Sequence, residues 1–518
     1  MNRILTASEM FLCDRTEIET HTPSRILMHR AARACADAIR GILQNDIPTA
    51  GSPVLILCGS GNNGGDGILC ARLLCEDGIP AVICPAFSDS DRLSGECKFR
   101  FDEARDAGVP ILAPEEFLAR TAPAYHMIVD ALFGIGLSRE PEGIYADLID
   151  AANRCAAARR IPTVAIDIAS GVFADTGKVS RHTFRADRTL AINNAKRGHL
   201  LYPGASYTGT LSILDIGIPE TPLDTADQLP IYALTDDDVR QMLPARQPDS
   251  NKGTNGRILI AAGSPGMCGA AFLSALAAYR CGAGLVEVFT CEDNRIPLQT
   301  RLPEAILTTY DPAAPDTACD RLRTSLSRAS AAVIGPGLGT ASCAQALVHT
   351  LLDETRVPTV LDADALNIFA AHDLFPLLHT ACAPRILTPH PGELSRLTGI
   401  PMPALLEDFI ENAVNYANST GVILNAKNTR SVITDGKRAY INPTGTSALA
   451  KGGSGDVLSG ITATLAAQGC DALTAAALAA YLHGRAAEIV TARMGTRSPL
   501  ASEVADALGE VFLEITGA

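Results

Sequence analysis

Short runs of consecutive apolar residues recur along the chain, separated by stretches with helical spacing of apolar positions. In the first part the runs are VLILC (54–58), AVIC (81–84), MIVDAL (127–132), TVAIDI (163–168) and TLAI (189–192). Between them lie segments such as DGILCARLLCEDG and PEGIYADLIDAANRCAAARR. Runs without alternation read as strands buried on both faces, and strand–turn–helix–strand order predicts a parallel sheet covered by helices. The second part repeats this order with RILIAAG (257–263), LVEVFT (285–290), AAVIGPG (331–337), TVLDADAL (359–366), RILTPH (385–390) and GVILNA (421–426). Between the two sets, residues 218–239 hold Pro219, Pro222 and Pro230 and five Asp between Asp224 and Asp238, a composition suited to a linker. The pattern predicts two doubly wound α/β domains, residues 1–225 and 226–518, the first of them Rossmann-like.

A length of 518 residues fits two domains at roughly 100–200 residues each. The net charge of −14 counts against a nucleic-acid partner or an anionic membrane surface. Aromatics make up 5% with no Trp, too few for base-stacking platforms. The fifteen Cys are dispersed and form no CxxC pair, which reads as buried thiols in a reducing compartment. The N-terminus lacks an apolar h-region, and the most apolar stretch, 457–483, is broken by Gln468, Gly469 and Asp471. A soluble, cytoplasmic protein is expected.

In the first part, VLILCGSGNNGGDGILCARLL places a glycine loop between a buried strand and a helix. It is neither GxGxxG nor a P-loop. Its distinguishing content is Asn62, Asn63 and Asp66, two amides and a carboxylate that call for something to coordinate. Asp130 and Asp167 stand at the ends of two further strands, where ligands of open α/β sheets bind. With Asn63 and Ser170, Asp130 offers hard oxygen ligands for a cation such as K⁺. Asp167 would then act on substrate.

CGSGNNGGDG, VDALFGIGL, DIASG, ADTG and LDIGIP resemble, in order and spacing, the NAD(P)H-hydrate epimerase domain over about residues 1–220. The resemblance implies that Asn62, Asn63, Gly64, Gly65, Asp66, Gly134, Ile135, Gly136 and Asp167 hold the hydrated nicotinamide nucleotide. It implies Asn63, Asp130 and Ser170 as K⁺ ligands. Ala169 stands where the family has Pro, and LMHRAAR lacks the family's Glu and Gly.

Near the C-terminus, ALAKGGSGDVLSGITATLAAQG sets Lys451, Gly452, Gly453, Ser454 and Gly455 before an apolar helix that opens on Asp456. Backbone N–H groups there would form an anion hole for phosphoryl oxygens. The positive helix end favours an ionised Asp456, by about 0.3–1 kcal/mol, as a general base requires. VIGPGLG, VLDADALN (with Asp362, Asp364 and Asn367) and ILTPHPGEL (with His390 and Glu393) supply three more strand-end loops.

From LPARQPDSNKGTNGRILIAAGS onward the motifs resemble the ADP/ATP-dependent NAD(P)H-hydrate dehydratase, a ribokinase-like family. The resemblance implies that Ala270, Gly337, His390, Glu393 and Asp456 contact the hydrate. Asn425, Ala426, Lys427, Asn428 and Thr429, with Thr446 and the stretch from Lys451 to Gly455, would hold the nucleotide. The usual Leu-Lys-Gly is replaced by Leu424-Asn425-Ala426, with the cation two positions later, and Thr446 replaces an Asn.

The two resemblances imply a bifunctional repair enzyme. Its first domain would epimerise R and S NAD(P)H hydrate (NADHX and NADPHX). Its second would dehydrate the S epimer with ADP or ATP and Mg²⁺, with Asp456 and Asp167 as the catalytic acids or bases. A homo-oligomer is expected. A ribokinase-like vitamin or sugar kinase fused to a nucleotide-binding scaffold stays open at this level.

Overall fold

The computed structural model describes all residues except 46–51, 88–92, 94, 120–123, 225–228, 373, 380–381 and 518. The chain forms two compact units, Asn2–Gln228 and Leu229–Ala518. The expected boundary at 225/226 lies outside the described residues.

The N-terminal unit carries a six-stranded, wholly parallel sheet. Its order is Ala81–Pro85, Val54–Cys58, Met127–Ala131, Thr163–Ile166, Arg188–Ile192, Thr210–Leu214. Alternate residues of the strand Val54–Cys58 serve two cores. Val54, Ile56 and Cys58 pack with the helix Asn62–Glu76, while Leu55 and Leu57 pack with the helix Ile144–Arg159. That two-sided burial is why the strand reads as an unbroken apolar run. A short parallel pair, Asn2–Leu5 with Ala195–Lys196, sets Lys196 beside Leu5.

The C-terminal unit carries a ten-stranded sheet in the order Ile306–Tyr310, Leu285–Cys291, Arg257–Ala261, Ala331–Ile334, Thr359–Leu361, Arg385–Leu387, Ile423–Ala426, Val432–Thr434, Ala439–Ile441, Ile231–Ala233. The first seven run parallel, and Val432–Thr434 is antiparallel to both its neighbours. The helix Ser454–Ala467 lies against the helix Cys268–Arg280 in an Ala- and Leu-rich core. A Cβ on Gly460 would fall 2.2 Å from the Ser274 carbonyl oxygen, so only glycine permits this approach.

The sequence pattern did not point to Thr210–Leu214, Ile306–Tyr310, Val432–Thr434, Ala439–Ile441 or Ile231–Ala233. The first two are edge strands whose half-exposed residues break the apolar run, and the others are only three residues long. All fifteen cysteines are free thiols, most of them buried. Among the described residues no helix is long and apolar enough to cross a membrane.

Candidate functional site

In the N-terminal unit the strand order reverses between Val54–Cys58 and Met127–Ala131, the crevice where open α/β sheets bind ligands. A cavity of 690 Å³ opens at their carboxyl ends. Asn62, Asn63 and Asp66 line it from the start of the helix Asn62–Glu76, and Gly134, Ile135 and Gly136 from the loop after Met127–Ala131. Asp167 and Lys196 line it too, as do Met10, Phe11 and Asp14 of the helix Ala7–Thr20. Gly64 and Gly65 belong to the helix Asn62–Glu76. A Cβ on Gly64 would meet the Gly59 carbonyl oxygen at 1.8 Å, so the residue lets the loop fold onto its own helix.

Asp167 sits at φ +64°, a left-handed conformation that strains a residue with a side chain. Its Oδ1 accepts from Lys196 Nζ at 2.6 Å, and Lys196 Nζ also donates to the Ile192 carbonyl at 2.9 Å. Lys196 is fully buried. The Asp167 carbonyl accepts from His199 Nε2 at 2.9 Å, while His199 Nδ1 accepts the Lys196 N–H. Burial, aided by the Lys196 cation, lowers His199 to about 4 and keeps the ring neutral. The other Asp167 oxygen faces Gly134, 3.2 Å from where a Cβ there would stand.

Asp130 is wholly buried on the strand Met127–Ala131, whose following loop lines the cavity. It accepts the Ser170 N–H (2.7 Å), the Ser170 hydroxyl (2.7 Å) and the Leu132 N–H (3.1 Å). Burial pushes it up to about 6 against these bonds. Asn63 Nδ2 donates to the carbonyls of Phe133 (3.0 Å) and Ile166 (3.3 Å). Asn63 Oδ1 is buried with no partner among the described residues. Ser170 Oγ accepts the Phe133 N–H at 2.9 Å, so Asn63, Asp130 and Ser170 meet around one loop. Among the described residues no trio of His, Cys, Asp or Glu is gathered for a transition metal.

In the C-terminal unit the chemistry gathers at the start of the helix Ser454–Ala467. Asp362, after the strand Thr359–Leu361, is 1% exposed. Its Oδ1 accepts from Lys427 Nζ at 2.9 Å and its Oδ2 from Ser459 Oγ at 2.8 Å. Burial would raise Asp362, but the Lys427 charge and hydrogen bond, with those of Ser459 and Thr388, hold it below the usual carboxylate range. Lys427 is held above its ordinary value by its carboxylate neighbours despite burial. Lys427 Nζ lies 3.1 Å from where a Cβ on Gly455 would stand, beside the helix's first N–H groups.

Asp456, half-buried in the first turn, is pushed up to about 7 by burial and then by Asp362, eased by Lys427. The expected ionising effect of the helix end is outweighed by desolvation. The Asp456 backbone carbonyl accepts from Ser274 Oγ at 2.9 Å, which ties this turn to the neighbouring helix. Gly337 faces Ala270: a Cβ built on Gly337 would stand 3.0 Å from the Ala270 Cβ. His390 caps the helix Pro391–Thr398, its Nδ1 accepting the N–H groups of Gly392 (3.0 Å) and Glu393 (3.4 Å). Glu393 Oε2 accepts the His390 N–H at 2.8 Å in return. The cap leaves His390 Nε2 to carry the proton. Burial and the nearby Lys427 and Arg396 charges lower this imidazole.

The family described as NAD(P)H-hydrate dehydratase matches residues 258–509, and the one described as YjeF-related protein N-terminus matches residues 24–198. The chain is 37% identical to the bifunctional NAD(P)H-hydrate repair enzyme of Moorella thermoacetica, over 98% of this chain and 96% of that one. It is 36% identical to the enzyme of the same name from Salinibacter ruber, over 99% and 97%. The chain belongs to the bifunctional NAD(P)H-hydrate repair enzyme family. A solved ribokinase-like superfamily protein from Enterococcus faecalis aligns with a TM-score of 0.50 and 25% identity, covering 56% of this chain and 97% of that one.

Several residues take places in this member of the repair family that the motifs did not suggest. Asn425 and Ala426 are fully buried within the strand Ile423–Ala426. Lys427, the next residue, is the one delivered to the site, while Asn428 Oδ1 accepts the Thr429 N–H in the exposed turn beyond. Lys451 is also placed differently, its ammonium held by the carbonyls of Arg497 and Pro499, both at 2.6 Å. Thr446 caps a short turn and shares a 2.8 Å hydrogen bond with Thr491. Gly452, Gly453, Ser454 and Gly455 form the loop and first turn as expected from their spacing. Lys196 and Ser459 were missed. A lysine after a predicted buried strand was the one available signal for Lys196, and a Ser inside an apolar helix gave none.

Proposed function

We propose that the chain repairs hydrated nicotinamide cofactors in two steps. The N-terminal unit interconverts the R and S hydrates of NADH and NADPH. The C-terminal unit removes water from the S hydrate with ADP or ATP. The observation that carries this reading is that both halves match the family, and each retains a carboxylate at the carboxyl end of its parallel sheet. A kinase joined to a bare scaffold would need neither Asp130 nor the Asp167–Lys196 pair.

In the dehydratase unit, water is a poor leaving group, so the hydroxyl is first phosphorylated. Asp456, near 7, accepts the hydroxyl proton. The N–H groups at the start of Ser454–Ala467 and the Lys427 ammonium stand where phosphoryl oxygens would bind. Asp364 spends Oδ2 on the Gly339 N–H at 2.8 Å, and its carboxylate would be one of the one or two that Mg²⁺ takes besides phosphate oxygens. Mg²⁺ would offset nucleotide charge.

In the epimerase unit, the unpartnered Asn63 Oδ1 beside Ser170 and the buried Asp130 fits a monovalent cation. K⁺ would supply the positive charge that Asp130 lacks. The test is Asp130→Ala: epimerisation should fall and any K⁺ dependence vanish, while dehydration of pure S hydrate persists. Normal epimerisation that still responds to K⁺ would remove the cation assignment.

A further inference from the structure

Inverting a single carbon requires a bond to open and to close again on the other face, with protons handled at both moments. The epimerase cavity is lined by carboxylates carried on separate elements. Asp167 spends Oδ1 on Lys196 at 2.6 Å, while its Oδ2 faces the Gly134 loop. Asp14, on the helix Ala7–Thr20, lines the same cavity and accepts no hydrogen bond from any described residue. Its position is fixed: Thr6 and Glu9 form a capping box, the Ala7 N–H donates to Asp175 at 2.6 Å, and Met10 and Cys13 on the same helix are buried. A half-buried carboxylate without partners costs stability that Ala or Ser would not, so a structural role does not account for it.

We propose that Asp14 is the second proton-transferring residue of the epimerase, working with Asp167 in the same cavity. The proposal rests on the epimerase reading above. Hydration of the ring's enamine double bond leaves a hydroxyl on the carbon next to the ring nitrogen. Opening this carbinolamine breaks the C–N bond. The hydroxyl proton passes to Asp167 and the O–H electron pair forms the C=O bond. The C–N pair stays on nitrogen, which takes a proton from Asp14. After rotation about the bond to the aldehyde carbon, nitrogen attacks the other face of the carbonyl, returns its proton to Asp14, and the oxygen recovers the proton from Asp167. No oxidant or reductant is consumed.

The charges facing Asp14 suit a donor. Burial pushes it up to about 6, Lys196 opposes that, and Asp167 adds to it. Asp66 is the other acid coupled to it, and Arg15, Glu19 and Glu96 line the cavity as well.

The test uses the full chain with purified R hydrate, ATP and Mg²⁺, reading recovery of the reduced nicotinamide band above the uncatalysed epimerisation rate. Asp14→Asn should slow use of the R hydrate by about 10²–10⁴-fold and leave dehydration of the S hydrate unchanged. Asp14→Ala should regain R turnover when formate is added, a response that a structural role would not give. Wild-type R turnover in Asp14→Asn, or an impaired Asp14→Ala that ignores formate, would overturn the proposal. Failure of the wild-type chain to use R hydrate at all would instead sink the epimerase reading beneath it.

Discussion

Replacing Lys427 with Met would strand the Asp362 carboxylate, which is 1% exposed and has that ammonium at 2.9 Å. At an effective dielectric of about 20, the direct attraction at this distance is on the order of 6 kcal/mol. Removing one partner of a buried pair costs about 3–5 kcal/mol, because the survivor stays desolvated. The Ser459 hydroxyl, still bonded to Asp362 Oδ2, brings the expected loss toward the lower end. For a unit of this size that is a fall on the order of 6–12 °C. Asp362→Asn should cost less, because the Lys427 side chain is 22% exposed and keeps Glu393 and Asp456 as carboxylate neighbours. The double variant should lie closer to wild type than the sum of the two, with a coupling of about 2 kcal/mol or more. Scanning calorimetry of the full chain reads this, the dehydratase transition being the one that bound nucleotide shifts upward. All three variants should lose dehydratase turnover, since Lys427 stands against Gly455. Losses that simply add would refute the pairing as the strut of this site.

Asp456→Asn keeps the shape of the first helical turn and should lower dehydratase turnover by about 10²–10⁴-fold with little change in melting temperature. Because Asp456 lies near 7, wild-type turnover should fall tenfold per pH unit below about 7, and any residual rate of the Asn variant should lose that limb. His199 is lowered to about 4 in the fold, whereas the unfolded chain takes up its proton near about 6.5. Its contribution to stability is therefore complete above about 6.5 and lost as pH falls toward 4. Denaturant midpoints of the N-terminal unit should decline less steeply over that window in His199→Gln than in wild type, and equal slopes would contradict the buried neutral ring.

The doubly wound architecture was legible because parallel strands buried on both faces leave unbroken apolar runs such as VLILC and TVAIDI. The motif glycines were legible for a related reason: a loop that must fold against its own helix excludes a Cβ, as at Gly64. Edge strands such as Thr210–Leu214 were not, since half-exposed positions blur the pattern. Asp130, Asp167 and Asp456 could be picked out as strand- or helix-end acids, but their partners could not. Lys196 reaches Asp167 across 29 residues, Lys427 reaches Asp362 across 65, and Ser459 reaches it across 97. No local spacing encodes such pairs. The same limit hid the burial of Asn425 and Ala426 within the sheet.

The central claim, that one chain carries both repair steps, is tested most directly by following the reduced nicotinamide absorbance from a mixture of R and S hydrates with ADP or ATP. Complete recovery of NADH or NADPH with release of free phosphate is expected, because epimerisation feeds the S-specific dehydratase. Recovery that stops at the S fraction, or a phosphorylated hydrate that accumulates in place of free phosphate, would contradict it.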